Sequence, residues 1–280
     1  MATVTAASIE SNLLAIRTQG YCVIEGIIEA HVVSAMCERI TAIVEREDRD
    51  FPYARKKIGY AASIINHDQS FATHLVDDRL TGLAAQLLGE HFRISFTAGM
   101  VIKPGNERGA WHADWPFNQG NAGRILAPYP DGVFHLTTIW MLSPFTAENG
   151  ATLVLPGSHR LPSNPTAERA QPHPSVMPGQ YDPIAGQMNV AGSPGSVLVM
   201  DSRLWHATAA NLSERPRVAL IVRYAPWWLN LAVLNPDSDE RRRICDEAGR
   251  YDNVVPLVRR EVYDSLPASA MPLFRHWVGS

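Results

Sequence analysis

The stretch "FRISFTAGMVI", residues 92–102, places an apolar side chain at every second position from Phe92 to Ile102. Successive side chains of a β-strand point to opposite faces of the sheet, so this two-residue repeat predicts a strand with one buried face. It is the clearest strand signal in the chain, and it marks the start of a β-rich middle part.

Four further strand candidates follow. They are HLTTIWML (135–142), ATLVLP (151–156), SVLVM (196–200) and RVALIVRYA (217–225). The turn pair Asn149-Gly150, which is typical of β-hairpins, connects the first two. No helix of convincing length separates these strands, and this favours an antiparallel sandwich or barrel over strand-helix units. Two irregular stretches, 118–134 and 160–195, are long enough to border a functional site.

Helical periodicity lies on both sides of the strands. It predicts helices at 8–19, 30–47 and 77–88, with a short strand, YCVIEGI, after the first and further helices from Asn235 onward. The sequence thus indicates a single domain over residues 1–280 that is mainly β with flanking helices (α+β). It has a helical N-terminal part (1–90), a β core (about 91–226) and a helical C-terminal tail (235–280).

Composition narrows the class of protein. Of the 280 residues, 46% are hydrophobic and 19% charged, with a net charge of -3, so there is no positive excess for nucleic acid. The sequence contains no run of 18 apolar residues that could span a membrane, and its N-terminus lacks the pattern of a secretory signal. The three cysteines are an odd number without a close pair, which suits a reducing compartment. We expect a cytoplasmic protein that binds neither nucleic acid nor membrane.

The stretch "GAWHADWPF", residues 109–117, contains two polar residues that can bind metal, His112 and Asp114. Side chains at i and i+2 project from the same side of an extended chain, whereas on a helix they lie about 200° apart. The pair can therefore bind one ion if the segment is extended. By itself the spacing is equally compatible with a polar turn.

A third ligand is expected on another strand. His206 closes one apolar strand, and Arg217 opens the next. Two histidines and one carboxylate occupy one face of an octahedron and leave three positions open, the arrangement of non-haem Fe(II) sites that hold a co-substrate and O₂. Zinc more often takes three or four histidine or cysteine ligands. The ligand count therefore favours iron.

These motifs resemble the phytanoyl-CoA dioxygenase family of Fe(II)- and 2-oxoglutarate-dependent oxygenases. The matching features are His112-x-Asp114, "ENGATLVLPGSH" (148–159), "DSRLWHATAAN" (201–211) and Arg217, placed eleven residues after His206. With "GYCVIEGII" (20–28), the resemblance spans roughly residues 8–226. It implies a double-stranded β-helix, a jelly-roll core like that of the cupins.

The resemblance also implies roles for individual residues. His112, Asp114 and His206 would bind the iron, and Arg217 would pair with the distal carboxylate of 2-oxoglutarate. An arginine suits that task because its planar guanidinium is permanently charged and binds carboxylates through two bonds. Thr208 matches a hydroxyl position that contacts 2-oxoglutarate.

One position departs from the family pattern. Related enzymes often have a serine or threonine two residues after the arginine, where this chain has Ala219. Thr208, or one of Thr137 and Thr138, would then supply the missing donor. Strand alternation places only one of these last two inside the core.

The implied reaction is oxidation of an unactivated C–H bond with O₂, releasing succinate and CO₂. Because Asp114 is present, we expect oxygenation and not halogenation, for which the family replaces the carboxylate by a small residue. No lysine cluster or glycine-rich loop is available for the phosphates of coenzyme A, which favours a small or medium-sized metabolite such as a natural product. A non-catalytic jelly-roll binding module and a cupin-type metal-dependent isomerase or hydrolase remain alternatives.

Several residues near the ligands are candidates for substrate contact. Five aromatic residues would form an apolar pocket or simply belong to the core: Trp111, Trp115, Phe117, Trp140 and Trp205. His135 lies on a strand close to the site. Arg223, in phase with Arg217, would face the interior and pair with a substrate carboxylate.

Overall fold

The computed structural model describes part of the chain in detail. The described residues are 6–47, 57–114, 131–161, 165, 181–249 and 254–279. Trp115 and Phe117 lie outside them, as does most of the two stretches predicted to be irregular. Within these segments no helix combines the length and the hydropathy that a membrane crossing requires.

A six-stranded antiparallel sheet forms the larger layer. Its strands are β1 (Tyr21–Ile24), β2 (Ile58–Ala62), β3 (Arg93–Ile102), β4 (Leu136–Met141), β7 (Val197–Asp201) and β9 (Arg217–Ala225). Their order across the sheet is β1-β7-β4-β9-β3-β2, and every neighbouring pair is antiparallel. Four of the strands predicted from the sequence pattern, β3, β4, β7 and β9, thus occupy four consecutive positions in this sheet.

A three-stranded antiparallel sheet forms the second layer. It contains β5 (Thr152–Val154), β6 (Met188–Val190) and β8 (His206–Thr208), in the order β6-β5-β8. The inner faces of the two sheets share one apolar cluster, in which Met141, Leu198 and Ala219 of the large sheet meet Val154 and Val190 of the small one. The result is the predicted mainly β architecture, with two separate sheets in place of a closed barrel.

Helices cover the outer face of the large sheet. They are α1 (Ala6–Gln19), α2 (Ala30–Glu47) and α3 (Asp78–Leu88), close to the predicted bounds. The tail holds shorter pieces: α4 (Asp239–Arg241), a π-helical turn (Arg242–Asp246), α5 (Arg260–Ser265) and α6 (Met271–Phe274). Short 3₁₀ turns lie at Ile64–Asn66, His74–Val76, Ser158–Arg160, Ala232–Leu234 and Arg275–Trp277. The helices and this outer face form the largest apolar core.

Strand β3 differs from its prediction in two ways. Both of its faces are buried, because the small residues on the outer face let α2 approach closely: a Cβ atom on Gly99 would lie 3.0 Å from side-chain carbons of Ile40 and Val44. The alternation also breaks at Ser95, where the pairing with β9 shifts between Ile94 and Phe96. This β-bulge turns two successive side chains, Ser95 and Phe96, towards the interior.

Three further expectations were wrong. Strand β2 lies within the part predicted to be helical, where it pairs with β3 along its whole length. Strand β6 lies within the stretch 160–195, which was predicted to be irregular. Asn149-Gly150 does not form a hairpin, because β4 and β5 belong to different sheets and Asn149 instead forms a bridge with Asn211.

Candidate metal centre

Backbone pairing brings His112 next to His206. The amide of His112 donates to the carbonyl of His206 (2.9 Å), and the amide of His206 donates back to His112 (2.8 Å). The Gly109 amide extends this pairing by donating to Thr208 on β8. Residues 109–112 therefore run as an extended segment along the small sheet, and the two imidazole rings have centroids 4.1 Å apart.

Asp114 completes a cluster of three possible ligands. Its amide donates to the Ser202 carbonyl (2.7 Å), which keeps the chain extended beyond His112. One nitrogen or oxygen atom from each of His112, Asp114 and His206 lies within 4.8 Å of the other two. The Nε2 atoms of His112 and His206 are 4.0 and 3.7 Å from the Asp114 carboxylate oxygens. Since bonds to such ligands are about 2.0–2.2 Å long, a bound ion fits with shifts of under about 1 Å.

The histidines are oriented for metal binding by their own backbone. The Nδ1 atoms of His112 and His206 lie 2.9 Å from the carbonyl oxygens of Ala110 and Leu204, respectively. A carbonyl only accepts hydrogen bonds, so Nδ1 carries the proton in each neutral ring. Both Nε2 atoms are then left with lone pairs facing the carboxylate.

Burial and neighbouring charges set the protonation of the cluster. Burial alone would raise the pKa of Asp114, but Arg223, His206 and His112, with a hydrogen bond from Thr137, outweigh burial and hold that pKa well below its usual range. Burial and the neighbouring His112 lower the pKa of His206 to about 4. The carboxylate is therefore ionised and His206 is neutral near pH 7, which is the protonation state that metal ligands need.

Both carboxylate oxygens of Asp114 are held by the large sheet. The Thr137 hydroxyl donates to Oδ2 (2.8 Å), and an Nη of Arg223 donates to Oδ1 (2.7 Å). The Arg223 guanidinium also stacks on Phe96, 4.4 Å from the ring centroid. As expected, the Arg223 guanidinium faces the interior, where it binds the carboxylate of Asp114. Its pairing with a substrate carboxylate stays a prediction.

Arg217 is a buried cation without a carboxylate partner in the described part of the chain. Its side chain is 2% exposed, its Nε donates to the Gly150 carbonyl (3.0 Å), and its guanidinium lies 4.6 Å from the centre of the Phe145 ring. Burial lowers its pKa to about 9, so it remains charged at neutral pH. An unpaired buried guanidinium fits a carboxylate-bearing ligand, since it leaves donors and charge to be matched.

The structure separates the candidate threonines. Thr137 faces the cluster, whereas the hydroxyl of Thr138 donates to the Val222 carbonyl and accepts from the Trp140 indole. Thr208 lies on β8 opposite Thr152 and is partly buried. Alternation along β4 thus works as expected and assigns the inward position to Thr137.

The predicted aromatic pocket is not formed by the described residues. Trp111 and Trp205 are about 1% exposed and pack together in a small cluster with Leu153, while Trp140 lies in the main helix-sheet core. His135 is also fully enclosed, between the hydroxyls of Ser95 and Ser202, so it does not meet a substrate. The three tryptophans therefore belong to the packed core, as strand aromatics usually do.

Sequence reasoning missed the residues that hold Arg217 and the carboxylate. Gly150 was singled out only as a turn residue and Phe145 not at all. Nothing in the local sequence indicates that they contact Arg217, because their proximity to it depends on how the two sheets pack. Arg223 was singled out by its phase with Arg217, but its partner was not. The register that places Thr137 opposite Arg223 supplies that information.

The geometry agrees with comparisons to known proteins. A family model described as phytanoyl-CoA dioxygenase (PhyH) matches residues 16–219 of the chain. The chain belongs to this family. A 30% identical relative, over 54% of this chain and 42% of its own length, is the dioxygenase af480 of Aspergillus fumigatus. The phytanoyl-CoA dioxygenase family membership and this relative identify the chain as an enzyme of the dioxygenase class.

Two further comparisons support the family fold. An uncharacterized Mycobacterium tuberculosis protein, Rv1501, is 25% identical over 221 residues, which cover 74% of this chain and 71% of that protein. The crystal structure of the epimerase SnoN in complex with Fe3+, alpha ketoglutarate and nogalamycin RO superposes with a TM-score of 0.61 and 20% identity, covering 79% of this chain and 85% of SnoN. The predicted jelly-roll core of the phytanoyl-CoA dioxygenase family is thereby confirmed.

Proposed function

We propose that the protein is an Fe(II)- and 2-oxoglutarate-dependent oxygenase that oxidises an unactivated C–H bond of a small or medium-sized metabolite. His112, Asp114 and His206 bind the metal, and Arg217 binds the distal carboxylate of 2-oxoglutarate. The observation that carries the proposal is the presence, in one interior, of a two-histidine, one-carboxylate cluster and a buried guanidinium that lacks a carboxylate partner among the described residues. SnoN, which has the same fold, is described with iron and alpha ketoglutarate bound.

The residues of this chain perform binding and orientation. When bound, Fe(II) with 2-oxoglutarate supplies O₂ activation, with release of succinate and CO₂. His112 and His206 present unprotonated Nε2 atoms, and Asp114 contributes the negative charge that Arg223 and Thr137 keep ionised. Three ligands of this kind leave three positions of an octahedron for co-substrate and O₂.

Arg217 and its surroundings make the co-substrate site selective for a dicarboxylate. A bidentate guanidinium contact in a buried site is stronger than in water, because the surroundings screen the charges less. Phe145 covers one face of the guanidinium, and the Gly150 carbonyl fixes its orientation. Thr208 is proposed as an additional hydroxyl contact to 2-oxoglutarate, since Ala219 provides none.

We further propose a natural-product-like substrate that approaches from the side of His112. The His112 side chain is 42% exposed, whereas those of Asp114 and His206 are 8% and 7% exposed, so the open side of the cluster lies there. SnoN is described with nogalamycin RO, which supports a small-molecule substrate. We also propose a single catalytic domain over residues 1–280 that acts in the cytoplasm. The three free cysteines support the choice of a reducing compartment.

Anaerobic titration tests the metal and co-substrate sites together. Fe(II) and 2-oxoglutarate bound in one site give a visible charge-transfer band, which we expect from the wild-type protein. Asp114→Ala should abolish the band, and Arg217→Ala should weaken 2-oxoglutarate binding by at least about 100-fold, because it removes both charge-assisted bonds. A protein without the band is a binding module, and one that binds metal but ignores Arg217→Ala is a metal-dependent isomerase or hydrolase.

The substrate is then sought by a screen. Succinate release that is coupled to a product heavier by one oxygen atom identifies a hydroxylation, and Asp114→Ala serves as the inactive control. Succinate release without a change in any test compound leaves the oxygenase class intact and only excludes those compounds.

A further inference from the structure

A chain of buried hydrogen bonds leads away from Asp114 into the large sheet. The Thr137 hydroxyl is 2.8 Å from Asp114 Oδ2 and also 2.8 Å from the Ser202 hydroxyl. Ser202 is in turn 2.8 Å from His135 Nδ1, and His135 Nε2 is 3.1 Å from the Ser95 hydroxyl. All four of these side chains are at most 2% exposed. None of these four hydrogen-bonded side chains is therefore in contact with bulk water.

The direction of every bond in this chain follows from its first member. The Thr137 hydroxyl has a single proton, and it donates this proton to Oδ2 of Asp114. The Thr137 oxygen must then accept from Ser202, and the Ser202 oxygen must accept from His135. His135 is consequently protonated on Nδ1, which leaves its Nε2 to accept from Ser95.

Independent features agree with this direction. Burial and the nearby Arg223 lower the pKa of His135 to about 3, so the ring is neutral near pH 7 and carries one proton. The bulge in β3 turns Ser95 inward, opposite the ring. Since all the bonds point the same way, each polarises the next and strengthens the last one, to the carboxylate.

We propose that His135 is a positioning residue of the metal centre, acting on Asp114 through Ser202 and Thr137. Its Nδ1–H orients the two hydroxyls so that Thr137 can only donate, which fixes the Asp114 carboxylate from one side while Arg223 fixes it from the other. Hydroxyl groups rotate freely, so without the Nδ1–H of His135 the Ser202 hydroxyl is no longer held in the orientation that donates to Thr137. This inference rests on the proposed function, because it assigns the purpose of the network to metal binding.

The wild-type protein provides a direct test of the tautomer. Long-range ¹H–¹⁵N NMR on the metal-free protein should show His135 in the Nδ1–H form at pH 7, with its signals assigned by their loss in His135→Asn. An Nε2–H form would overturn the proposal, because Ser202 would then have to donate to the ring and could not donate to Thr137. The tautomer itself is read from the metal-free wild-type protein, and the variant serves only to assign the signals.

Metal affinity provides the second test, with Co(II) absorbance titration as the probe. Loss of an outer hydrogen-bond partner typically weakens metal binding about 10- to 100-fold, and we expect about 10-fold for both His135→Leu and Ser202→Ala. His135→Asn keeps a donor at the Nδ1 position and should restore affinity to within about threefold of the wild type. The double variant should be no weaker than the weaker single variant, because both break the same chain.

A matched control lies at the other end of the same strand. Ser196 precedes β7, as Ser202 follows it, and its buried hydroxyl has no hydrogen-bond partner among the residues that the structure describes. Ser196→Ala should leave Co(II) affinity unchanged. The inference would be overturned if His135→Leu bound Co(II) as tightly as the wild type, or if the losses of Co(II) affinity in the two single variants multiplied in the double variant. Either result would leave the proposed function intact. A wild-type protein that takes up neither Co(II) nor Fe(II) with 2-oxoglutarate would overturn the proposed function and the inference with it.

Discussion

Replacing Arg217 by methionine should stabilise the empty protein while abolishing its response to 2-oxoglutarate. The guanidinium is 2% exposed and, among the described residues, no carboxylate pairs with it. A pKa of about 9 in place of 12.5 corresponds to a desolvation cost on the order of 4–5 kcal/mol. The bond to Gly150 and the contact with Phe145 offset part of this cost, at about 1.5–3 and 0.5–2 kcal/mol.

The expected gain in stability is therefore modest. Well-packed apolar replacements of buried ionic groups are often neutral or stabilising by about 1–4 kcal/mol, and methionine follows the path of the arginine side chain with little change in volume. For a domain of this size, a gain of about 1–2 kcal/mol raises Tm by roughly 2–8 °C. In the wild-type protein, 2-oxoglutarate at about 100 times its Kd should add about 2.7 kcal/mol, and in Arg217→Met nothing.

Thermal unfolding, recorded anaerobically with Fe(II) and with or without 2-oxoglutarate, measures both effects. Arg215→Met is the control, since Arg215 is exposed two residues earlier and should change neither Tm nor the 2-oxoglutarate response. The reasoning is refuted if Arg217→Met lowers the unfolding free energy of the empty protein by more than about 2 kcal/mol, which is the sign of a structural cation. A 2-oxoglutarate response that survives in Arg217→Met refutes the assignment of the carboxylate site.

Three further predictions concern neighbouring features. Thr137→Val should weaken Co(II) binding about 10- to 100-fold. Thr138→Val, one residue away on the opposite face of β4, should destabilise the protein without changing its Co(II) affinity. Equal Co(II) affinities of the two variants would contradict the assignment of the faces. Gly195→Ala should destabilise the protein by several kcal/mol more than Gly157→Ala, which comparative urea unfolding can measure. Both glycines have positive φ, but a Cβ at Gly195 would overlap the Ile28 carbonyl oxygen, whereas one at Gly157 has no neighbour within 4 Å. Burial lowers the pKa of His135 to about 3 and, with the neighbouring His112, that of His206 to about 4, so below about pH 6.5 the unfolded chain takes up protons that the folded protein does not. These two histidines should together reduce the unfolding free energy of the metal-free protein by roughly 2–2.5 kcal/mol between pH 7 and 5.5, and His276, whose pKa burial lowers to about 4, adds to that fall. Urea unfolding at several pH values measures the slope, which His135→Asn should make shallower.

The strands of the large sheet could be predicted because their apolar periodicity is local. Periodicity alone does not show whether a small residue faces water or allows a neighbouring helix to pack closely against the strand. Gly99 and Thr97 on β3 look like an exposed face, yet α2 packs against Gly99, and the Thr97 hydroxyl accepts from the Ile65 amide. Strand β2 was missed because it is short and only Ile58 and Tyr60 in it favour a strand, so that its pairing with β3, which the local sequence does not show, stabilises it.

The three metal ligands could be predicted from the sequence. His112 and Asp114 lie two positions apart in one extended segment, and His206 belongs to the ordered set of motifs that resembles the family. Their partners could not, because Arg223 and Thr137 come from strands that are separated in sequence and reach Asp114 only through sheet register. The sequence shows that Arg223 and Arg217 share a face of β9, but only the structure shows that one is neutralised by Asp114. The other lies without a carboxylate partner among the described residues.

The metal centre lies between the two sheets, and this division separates two kinds of constraint. The bridge between His112 and His206 belongs to the small sheet, whereas Arg223, Thr137 and the hydrogen-bond chain that ends at Asp114 belong to the large one or its ends. The distance between Asp114 and the two imidazoles is therefore set by how the sheets pack, through residues such as Met141, Val154 and Leu198. Protein interiors are nearly close-packed, so a change of volume in this cluster is transmitted to the ligand positions. Interior substitutions far from the ion should consequently alter metal affinity more than substitutions of exposed residues that lie nearer to it.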